Sequence, residues 1–248
     1  MRILHKAFSS VLSVLHYPVF GLILLVFHPV QWLCLKLGGY QAHKSSVDWL
    51  NFFLSYSLLL LGTTHRFTFE GKIPKGKSLI FVANHQSMYD IPPMIWKFRN
   101  YHPKFVAKKE LAKGIPSVSF NLRHGGAAVI DRKNPEQAKA ELQRFAHVLK
   151  QHGRSAVIFP EGTRSRDGVP KKFAYGGLKT LAEILPDALL VPVSINHSWK
   201  VVQYGMFPLS AFVLIDFYVH NPIDLSQSSF EEAFAQVEEK VKSHLVRD

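Results

Sequence analysis

Two long apolar stretches dominate the first quarter of the chain. No Asp, Glu, Lys or Arg occurs over residues 7–35, and a second charge-free run covers residues 49–64. As helices these runs would be about 44 Å and 24 Å long, compared with roughly 30 Å for the hydrocarbon core of a bilayer. We therefore predict two helices, 7–35 and 46–64, which form a membrane-associated segment over residues 1–65.

Basic residues lie on both sides of the first apolar run. A symmetric distribution of this kind favours the return of both ends to the same side of a membrane. We predict a monotopic hairpin that enters one leaflet; the alternatives are a transmembrane span over 7–35 and an ordinary pair of core helices. The flanking basic residues are Arg2, Lys6, Lys36 and Lys44.

After residue 65, short runs rich in β-branched and aromatic residues alternate with stretches of helical periodicity. This pattern predicts an α/β domain over residues 66–248, with a mixed, largely parallel sheet flanked by helices. A proline within the sixth predicted strand, Pro192, indicates an edge or a bulge there. The predicted strands are 67–70, 79–83, 104–107, 127–130, 156–159, 189–195 and 212–219.

Two helices of this domain have recognisable ends. Asn134 followed by Pro135 is typical of an N-cap and a first helical position, and Gly153 provides the stop. Near the C-terminus, Ser228 or Ser229 caps a segment whose apolar residues recur at helical spacing.

Charge limits the possible partners without choosing among them. The formal charge of +12 and the isoelectric point near 9.8 favour nucleic acid, anionic membrane or phosphorylated substrates. The single cysteine, Cys34, excludes an internal disulfide and fits a reducing compartment. A Walker loop, a dinucleotide fingerprint, a nucleophile elbow and metal-ligand spacing are all missing from the sequence.

The segment after the predicted strand 79–83 carries a histidine and an aspartate. It is Asn-His-Gln-Ser-Met-Tyr-Asp at residues 84–90, so His85 leaves the carboxyl end of the strand, where open α/β sheets place their sites. With His85 in a loop and Asp90 at a helix start, the carboxylate can hold one imidazole nitrogen and leave the other to accept a hydroxyl proton. The alternative is an N-capping Asp90 beside a solvated His85.

A second turn supplies positive charge. The sequence Phe-Pro-Glu-Gly-Thr-Arg-Ser at residues 159–165 follows a predicted strand; its glycine lets backbone amides approach an anion, and Arg164 can bind phosphate oxygens through two parallel hydrogen bonds. Lys108 and Arg132, at the ends of two other predicted strands, can add charge. Alternatively, Arg164 pairs with Glu161, and Lys108 is a surface lysine.

These segments resemble, in order, the four sequence blocks of the glycerolipid acyltransferases: the His-x4-Asp block at 84–90, then residues 126–132, 159–165 and 191–195. The resemblance covers about residues 66–220 and is strongest to the bacterial 1-acyl-sn-glycerol-3-phosphate acyltransferases. It implies that His85, oriented by Asp90, deprotonates the 2-hydroxyl of lysophosphatidic acid, which attacks the thioester of acyl-CoA or acyl-ACP to give phosphatidic acid. The residues that it assigns to acceptor binding are Lys108, Arg132, Glu161, Gly162, Thr163 and Arg164.

The resemblance also implies partners and a location. No cofactor, no metal and no nucleic acid are expected; the expected partners are the acyl donor, lysophosphatidic acid and an anionic membrane surface. The expected location is the cytoplasmic face of a bacterial inner membrane. Alternatives are a different acceptor, such as glycerol-3-phosphate, another lysophospholipid or a lyso-ornithine lipid; a hydrolase; and a non-catalytic lipid-binding protein.

Overall fold

One mixed sheet organises the chain after the N-terminal helical segment. The computed structural model describes residues 2–246, within which eight strands follow the order β1-β7-β6-β2-β5-β3-β4, with β8 paired to β6. Only the β6–β7 and β6–β8 pairs are antiparallel among these described strands, so the predicted mixed, largely parallel sheet is confirmed. The strands are β1 (Thr64–Phe69), β2 (Leu79–Ala83), β3 (Pro103–Lys108), β4 (Ala128–Ile130), β5 (Ser155–Ile158), β6 (Leu189–Asn196), β7 (Leu214–Val219) and β8 (Ile223–Asp224).

The predicted edge position of Pro192 is wrong, because β6 lies inside the sheet. Pro192 pairs with Val82 of β2 on one side. On the other side β7 pairs only from Val193 onward, while β8 pairs with Leu189 and Leu190. Pro192 therefore falls at the interruption between two partner strands, where a missing N–H removes no ladder hydrogen bond.

The helices cover both faces of the sheet, and the predicted caps are present. The Asn134 side chain accepts a 3.0 Å hydrogen bond from the Gln137 N–H, Gly153 adopts a left-handed conformation, and Ser229 is the N-cap of the last helix. Short 3-10 turns occupy Leu58–Leu61, Met88–Asp90, Arg99–Tyr101, Lys109–Ala112 and Leu225–Gln227. The helices are α1 (Arg2–Ser57), α2 (Ile91–Lys97), α3 (Val118–His124), α4 (Pro135–His152), α5 (Tyr175–Ile184), α6 (Ser198–Val201) and α7 (Phe230–Ser243).

Alternation along the strands builds two separate cores. In β2, Ile80 and Val82 pack with the buried faces of α4, α5 and α7. Leu79 and Phe81 point the other way, into a cluster that includes residues of α2 and the partly buried Leu12 of α1. The N-terminal helical segment and helices α4, α5 and α7 therefore lie on opposite faces of the sheet.

Helix α1 consists of two limbs joined at a single residue. Gly39 has φ 68° and ψ −161°, which interrupts the helix between the first limb, residues 2–38, and the second limb, residues 40–57. The limbs run antiparallel: the His16 Nδ1 atom lies 3.1 Å from the Ser57 carbonyl oxygen, and the Phe27 and Phe53 rings are 5.7 Å apart. Two predicted helices are present, but the predicted bounds are wrong, because one positive-φ glycine replaces the expected ten-residue link.

The first limb has its apolar residues outside and its polar residues inside. Ser9, Ser13, His16 and Gln31 are fully buried. The opposite face is exposed and apolar, and the most apolar window of the Ile3–Leu61 helix is long and hydrophobic enough to cross a membrane. We call this exposed face the outer stripe; it contains Phe8, Val11, Val14, Leu15, Val19, Leu22, Leu25, Val26, Trp32 and Leu33.

Candidate active site

The carboxyl end of β2 is held in place at the residue that precedes His85. All five residues of the strand are buried. The next residue, Asn84, donates from its side-chain amide to the Ile195 carbonyl at 2.9 Å and accepts from the Ile195 N–H at 2.7 Å. Because these two bonds tie the strand end to β6, the backbone that carries His85 has little freedom.

His85 and Asp90 make the predicted contact. The His85 Nδ1 and Asp90 Oδ2 atoms are 2.7 Å apart, and Oδ2 also accepts from the N–H groups of Gln86 at 2.8 Å and Ser87 at 3.0 Å. An ionised carboxylate only accepts hydrogen bonds, so the hydrogen of neutral His85 lies on Nδ1. The lone pair therefore lies on Nε2, the atom that a general base needs.

Ser198 holds the second oxygen of Asp90, and the sequence gives no sign of it. Its hydroxyl donates to Asp90 Oδ1, and the Ser87 hydroxyl donates to Ser198 Oγ at 3.2 Å. Ser198 begins α6, just after β6, and is separated from Asp90 by 108 positions. A local pattern could not have revealed this contact, since only the fold brings the two residues together.

Phe159 and Glu161 support the ring and backbone of His85. The Phe159 and His85 rings stack with centroids 4.2 Å apart, and the His85 N–H donates to Glu161 Oε1 at 3.1 Å. Glu161 Oε2 accepts from the Ser165 hydroxyl and from the Lys171 N–H. Burial raises the pKa of Glu161, while these hydrogen bonds oppose the rise. The Glu161 carboxylate thus ties the residue 159–171 loop to the base of the site.

A cavity of about 680 Å³ opens beside His85, within the range usual for ligand sites. It gathers six of the eight residues predicted from sequence; the other two, Asp90 and Glu161, are buried and bind His85. The six lining residues are His85, Lys108, Arg132, Gly162, Thr163 and Arg164.

The cavity mouth is basic. Removal from water and the neighbouring Arg164 lower the pKa of Arg132, while Glu110 opposes them. Two guanidinium groups close enough to perturb each other favour an anionic ligand, because a phosphate would relieve their repulsion. Between them, Gly162 has φ 68°, which a side chain would strain.

Much of the cavity lining is apolar, and buried charge lies beside it. Its walls come from both limbs of α1, from α2 and α3, and from β3. Lys104 also lines the cavity; burial, Arg154 and Lys44 lower its pKa to about 7, against the opposing attraction of Asp48. The apolar wall includes Phe20, Leu24, Leu50, Leu54, Met88, Ile91, Phe105, Leu111, Ile115 and Val118.

The site thus combines a carboxylate-held histidine at the end of a central strand with a cavity that has basic and apolar walls, an arrangement suited to acid–base chemistry on an amphipathic substrate. The chain belongs to the Acyltransferase family, whose model matches residues 65–196, just over half of the 248 residues.

Named relatives agree with the resemblance found in the sequence, which is confirmed. A 1-acyl-sn-glycerol-3-phosphate acyltransferase of Helicobacter pylori is 31% identical over 182 residues, 70% of this chain and 72% of that protein. One from Borreliella burgdorferi is 33% identical over 140 residues, 55% of each protein. The chain spans only 40% of the chloroplast enzyme LPAT1 of Arabidopsis thaliana, with 28% identity.

A solved structure covers nearly the whole chain. The crystal structure of the 1-acyl-sn-glycerophosphate acyltransferase PlsC from Thermotoga maritima superposes with a TM-score of 0.76 and 25% identity, over 99% of this chain and 96% of that one. The similarity therefore includes the two-limbed helix as well as the sheet.

Proposed function

We propose that this protein transfers an acyl chain from acyl-CoA or acyl-ACP to the 2-hydroxyl of lysophosphatidic acid, forming phosphatidic acid. The observation that carries the proposal is the 2.7 Å contact between His85 Nδ1 and Asp90 Oδ2 at the wall of a basic and apolar cavity. The named relatives support the choice of acceptor.

In the proposed reaction, His85 Nε2 takes the hydroxyl proton as the acceptor oxygen attacks the thioester carbonyl carbon. The tetrahedral intermediate collapses, the carbon–sulfur bond breaks, and the imidazolium returns its proton to the thiolate. Asp90 keeps the proton on Nδ1 throughout and stabilises the imidazolium. The products are the ester and a free thiol, so this route requires no covalent enzyme intermediate, metal or cofactor.

The acceptor phosphate would lie at the mouth, between Arg132, Arg164 and Lys108. Gly162 and Thr163 line the same wall, where backbone and hydroxyl groups can add hydrogen bonds. Glu161 has a different proposed role: its carboxylate is engaged by His85, Ser165 and Lys171, so it positions the loop that presents Arg164.

We further propose that the two limbs of α1 lie in one leaflet, at the cytoplasmic face of a bacterial inner membrane. The exposed apolar outer stripe supports a lipid contact, and the antiparallel limbs return to the side on which they begin. An acceptor in the bilayer would then reach His85 while it remains in the membrane.

Purified protein tests the proposal with labelled oleoyl-CoA or acyl-ACP and four acceptors: lysophosphatidic acid, glycerol-3-phosphate, lysophosphatidylcholine and lyso-ornithine lipid. We expect transfer to lysophosphatidic acid and its loss in His85→Ala. The matched control is His147→Ala, which removes an exposed histidine of α4. Transfer only to another acceptor would show that lysophosphatidic acid is not the substrate. No transfer from either donor would favour the non-catalytic alternative.

A further inference from the structure

The loop over residues 204–212, between α6 and β7, is fastened to the first limb of α1. Ser9 Oγ accepts from the Ala211 N–H at 3.2 Å, and Ser13 Oγ accepts from the Leu209 N–H at 2.9 Å. The Tyr17 hydroxyl donates to the Met206 carbonyl. Ser9 and Ser13, two of the buried polar residues of the limb, thus bind the backbone of this loop, which ties the two segments into one unit.

The loop, like the first limb, exposes apolar side chains. Leu209 and Ala211 are buried, and their N–H groups bond to Ser13 and Ser9, whereas Met206, Phe207 and Phe212 are 54%, 55% and 64% exposed. A loop that only covered the limb in water would turn these side chains inward, because exposed apolar surface costs about 25 cal/mol per Å². The arrangement suits an apolar surrounding outside the protein.

Phe212 is strained as well as exposed. Its φ is 59°, a conformation that is rare for a bulky residue, and its N–H donates to the Leu61 carbonyl at 2.9 Å. Neither backbone preference nor burial explains an aromatic residue at this position. Strain of this kind is typically retained where a side chain has a function.

The exposed residues of the loop continue the outer stripe. The Phe212 ring stacks on Phe8 of the stripe with centroids 5.7 Å apart, and the Phe207 ring lies 6.5 Å from that of Tyr17. Lys6 lies 5.6 Å from the ring of Tyr204 in the loop. The apolar surface therefore extends from α1 onto the α/β domain, with a lysine and a tyrosine at its border, as at membrane interfaces.

We propose that loop 204–212 is a third membrane-contacting element, which inserts Met206, Phe207 and Phe212 into the same anionic leaflet as the outer stripe. The three exposed apolar side chains and their continuity with the outer stripe argue for lipid, and Lys6 at the border together with the formal charge of +12 argues for anionic headgroups. The α/β domain would then touch the membrane directly, and its orientation would not depend on the limbs alone.

Site-specific labelling tests this in the full chain, because Cys34 is the only cysteine. In a Cys34→Ser background, an environment-sensitive fluorophore is attached at Met206→Cys. Leu22→Cys on the outer stripe is the reference for lipid contact, and Gln143→Cys, on the exposed face of α4 across the sheet, is the control. Phosphatidylglycerol-containing vesicles carry a nitroxide near the top of the acyl chain.

We expect at least about threefold more quenching at Met206→Cys than at Gln143→Cys, approaching that of Leu22→Cys, as for side chains that enter the headgroup boundary. Quenching at Leu22→Cys with none above control at Met206→Cys would overturn the inference. A second copy of the chain that covered the loop in place of lipid would give this same result. Quenching at neither position would overturn the lipid contact of the limb as well. Phe207→Cys repeats the test at an independent position, and acyl transfer is assayed separately.

Discussion

His85 and His220 both lie beside a carboxylate in the described part of the chain, but they are held differently. His85 meets Asp90 at 2.7 Å and lines the cavity. His220 Nδ1 lies 3.6 Å from Glu70 Oε2, and His220 Nε2 lies 2.8 Å from the hydroxyl of the buried Ser194. The second group contains a serine, a histidine and a glutamate, so residue types alone would make it the more familiar candidate.

Hydrogen-bond direction separates the two histidines. The Ser194 hydroxyl donates its one hydrogen to the Val241 carbonyl at 2.8 Å, so His220 must carry its hydrogen on Nε2 to bond Ser194. In His85 the hydrogen lies on Nδ1 and the lone pair on Nε2. Only 6% of His220 is exposed, and burial lowers its pKa to about 4 despite Glu70. A histidine beside a carboxylate can therefore act as a general base only when its tautomer leaves a nitrogen lone pair that faces a cavity.

The largest expected difference is between removal of one histidine and removal of the other. His85→Ala should lower kcat for acyl transfer by about 10²–10⁴-fold, the usual contribution of a general base. His220→Ala should leave kcat nearly unchanged in the folded fraction. Initial rates at saturating substrates, normalised to folded protein, make the comparison; loss of kcat in both variants would contradict it.

The second difference is that His85 lies beside a cavity whose arginines can bind an anionic substrate. Arg164→Ala should raise the KM for lysophosphatidic acid by about 10–100-fold, because a charge-assisted bond of roughly 1.5–3 kcal/mol is lost. The KM for the acyl donor should change less. Equal rises in both KM values would count against phosphate binding, and Arg144→Ala, which removes an exposed arginine of α4 that does not line the cavity, is the matched control.

Ser198 tests whether the position of Asp90 matters, because its hydroxyl binds the carboxylate oxygen that His85 does not contact. Ser198→Ala should lower kcat by about tenfold with little change in KM, since it removes one hydrogen bond to a charged group. Ser198→Thr should recover most of the rate. The pH dependence of kcat should shift in the alanine variant; an unchanged profile with reduced thermal stability would indicate a purely structural role.

His220 should affect stability and its pH dependence instead of turnover. Its folded-state pKa of about 4 lies below the ordinary histidine value of 6.5, so the unfolded chain binds more protons between these values. The contribution of His220 to the free energy of unfolding is therefore fully present above about pH 6.5 and is lost as the pH falls toward 4. His220→Gln keeps a donor for Ser194 and should reduce the uptake of protons on unfolding over this window by up to about one. Denaturant unfolding in detergent at pH 5 and 7 measures the change, and an unaltered acid slope would contradict it.

Local sequence patterns predicted much of the fold. The strands were recognisable because mainly apolar runs of five to eight residues lie between turn signals, as in β2 and β6, and α4 because Asn134 and Gly153 mark its ends. The eighth strand was missed because its two residues, Ile223 and Asp224, carry no periodicity. The bend at Gly39 was missed because a positive φ at one glycine leaves no trace in composition.

The candidate site was predictable where it is local. His85 and Asp90 lie five positions apart, and the residue 159–165 turn is contiguous. The supports are not local: Asn84 reaches Ile195 across 111 positions, and Ser198 reaches Asp90 across 108. Such contacts are decided by strand order, which a single sequence does not display. The roles of these residues in catalysis and binding stay predictions until the variants are measured.

The inverted first limb has a consequence for the order in which the protein is made. Ser13 bonds to Leu209, which is synthesised 196 positions later. At 5–20 residues per second, the limb waits roughly 10–40 s for the loop that satisfies its polar side. During that interval its outer stripe is already apolar. With the stripe in a leaflet, as proposed above, lipid would meet the limb before the sheet is complete, and the membrane would act as a template on which the rest of the chain folds.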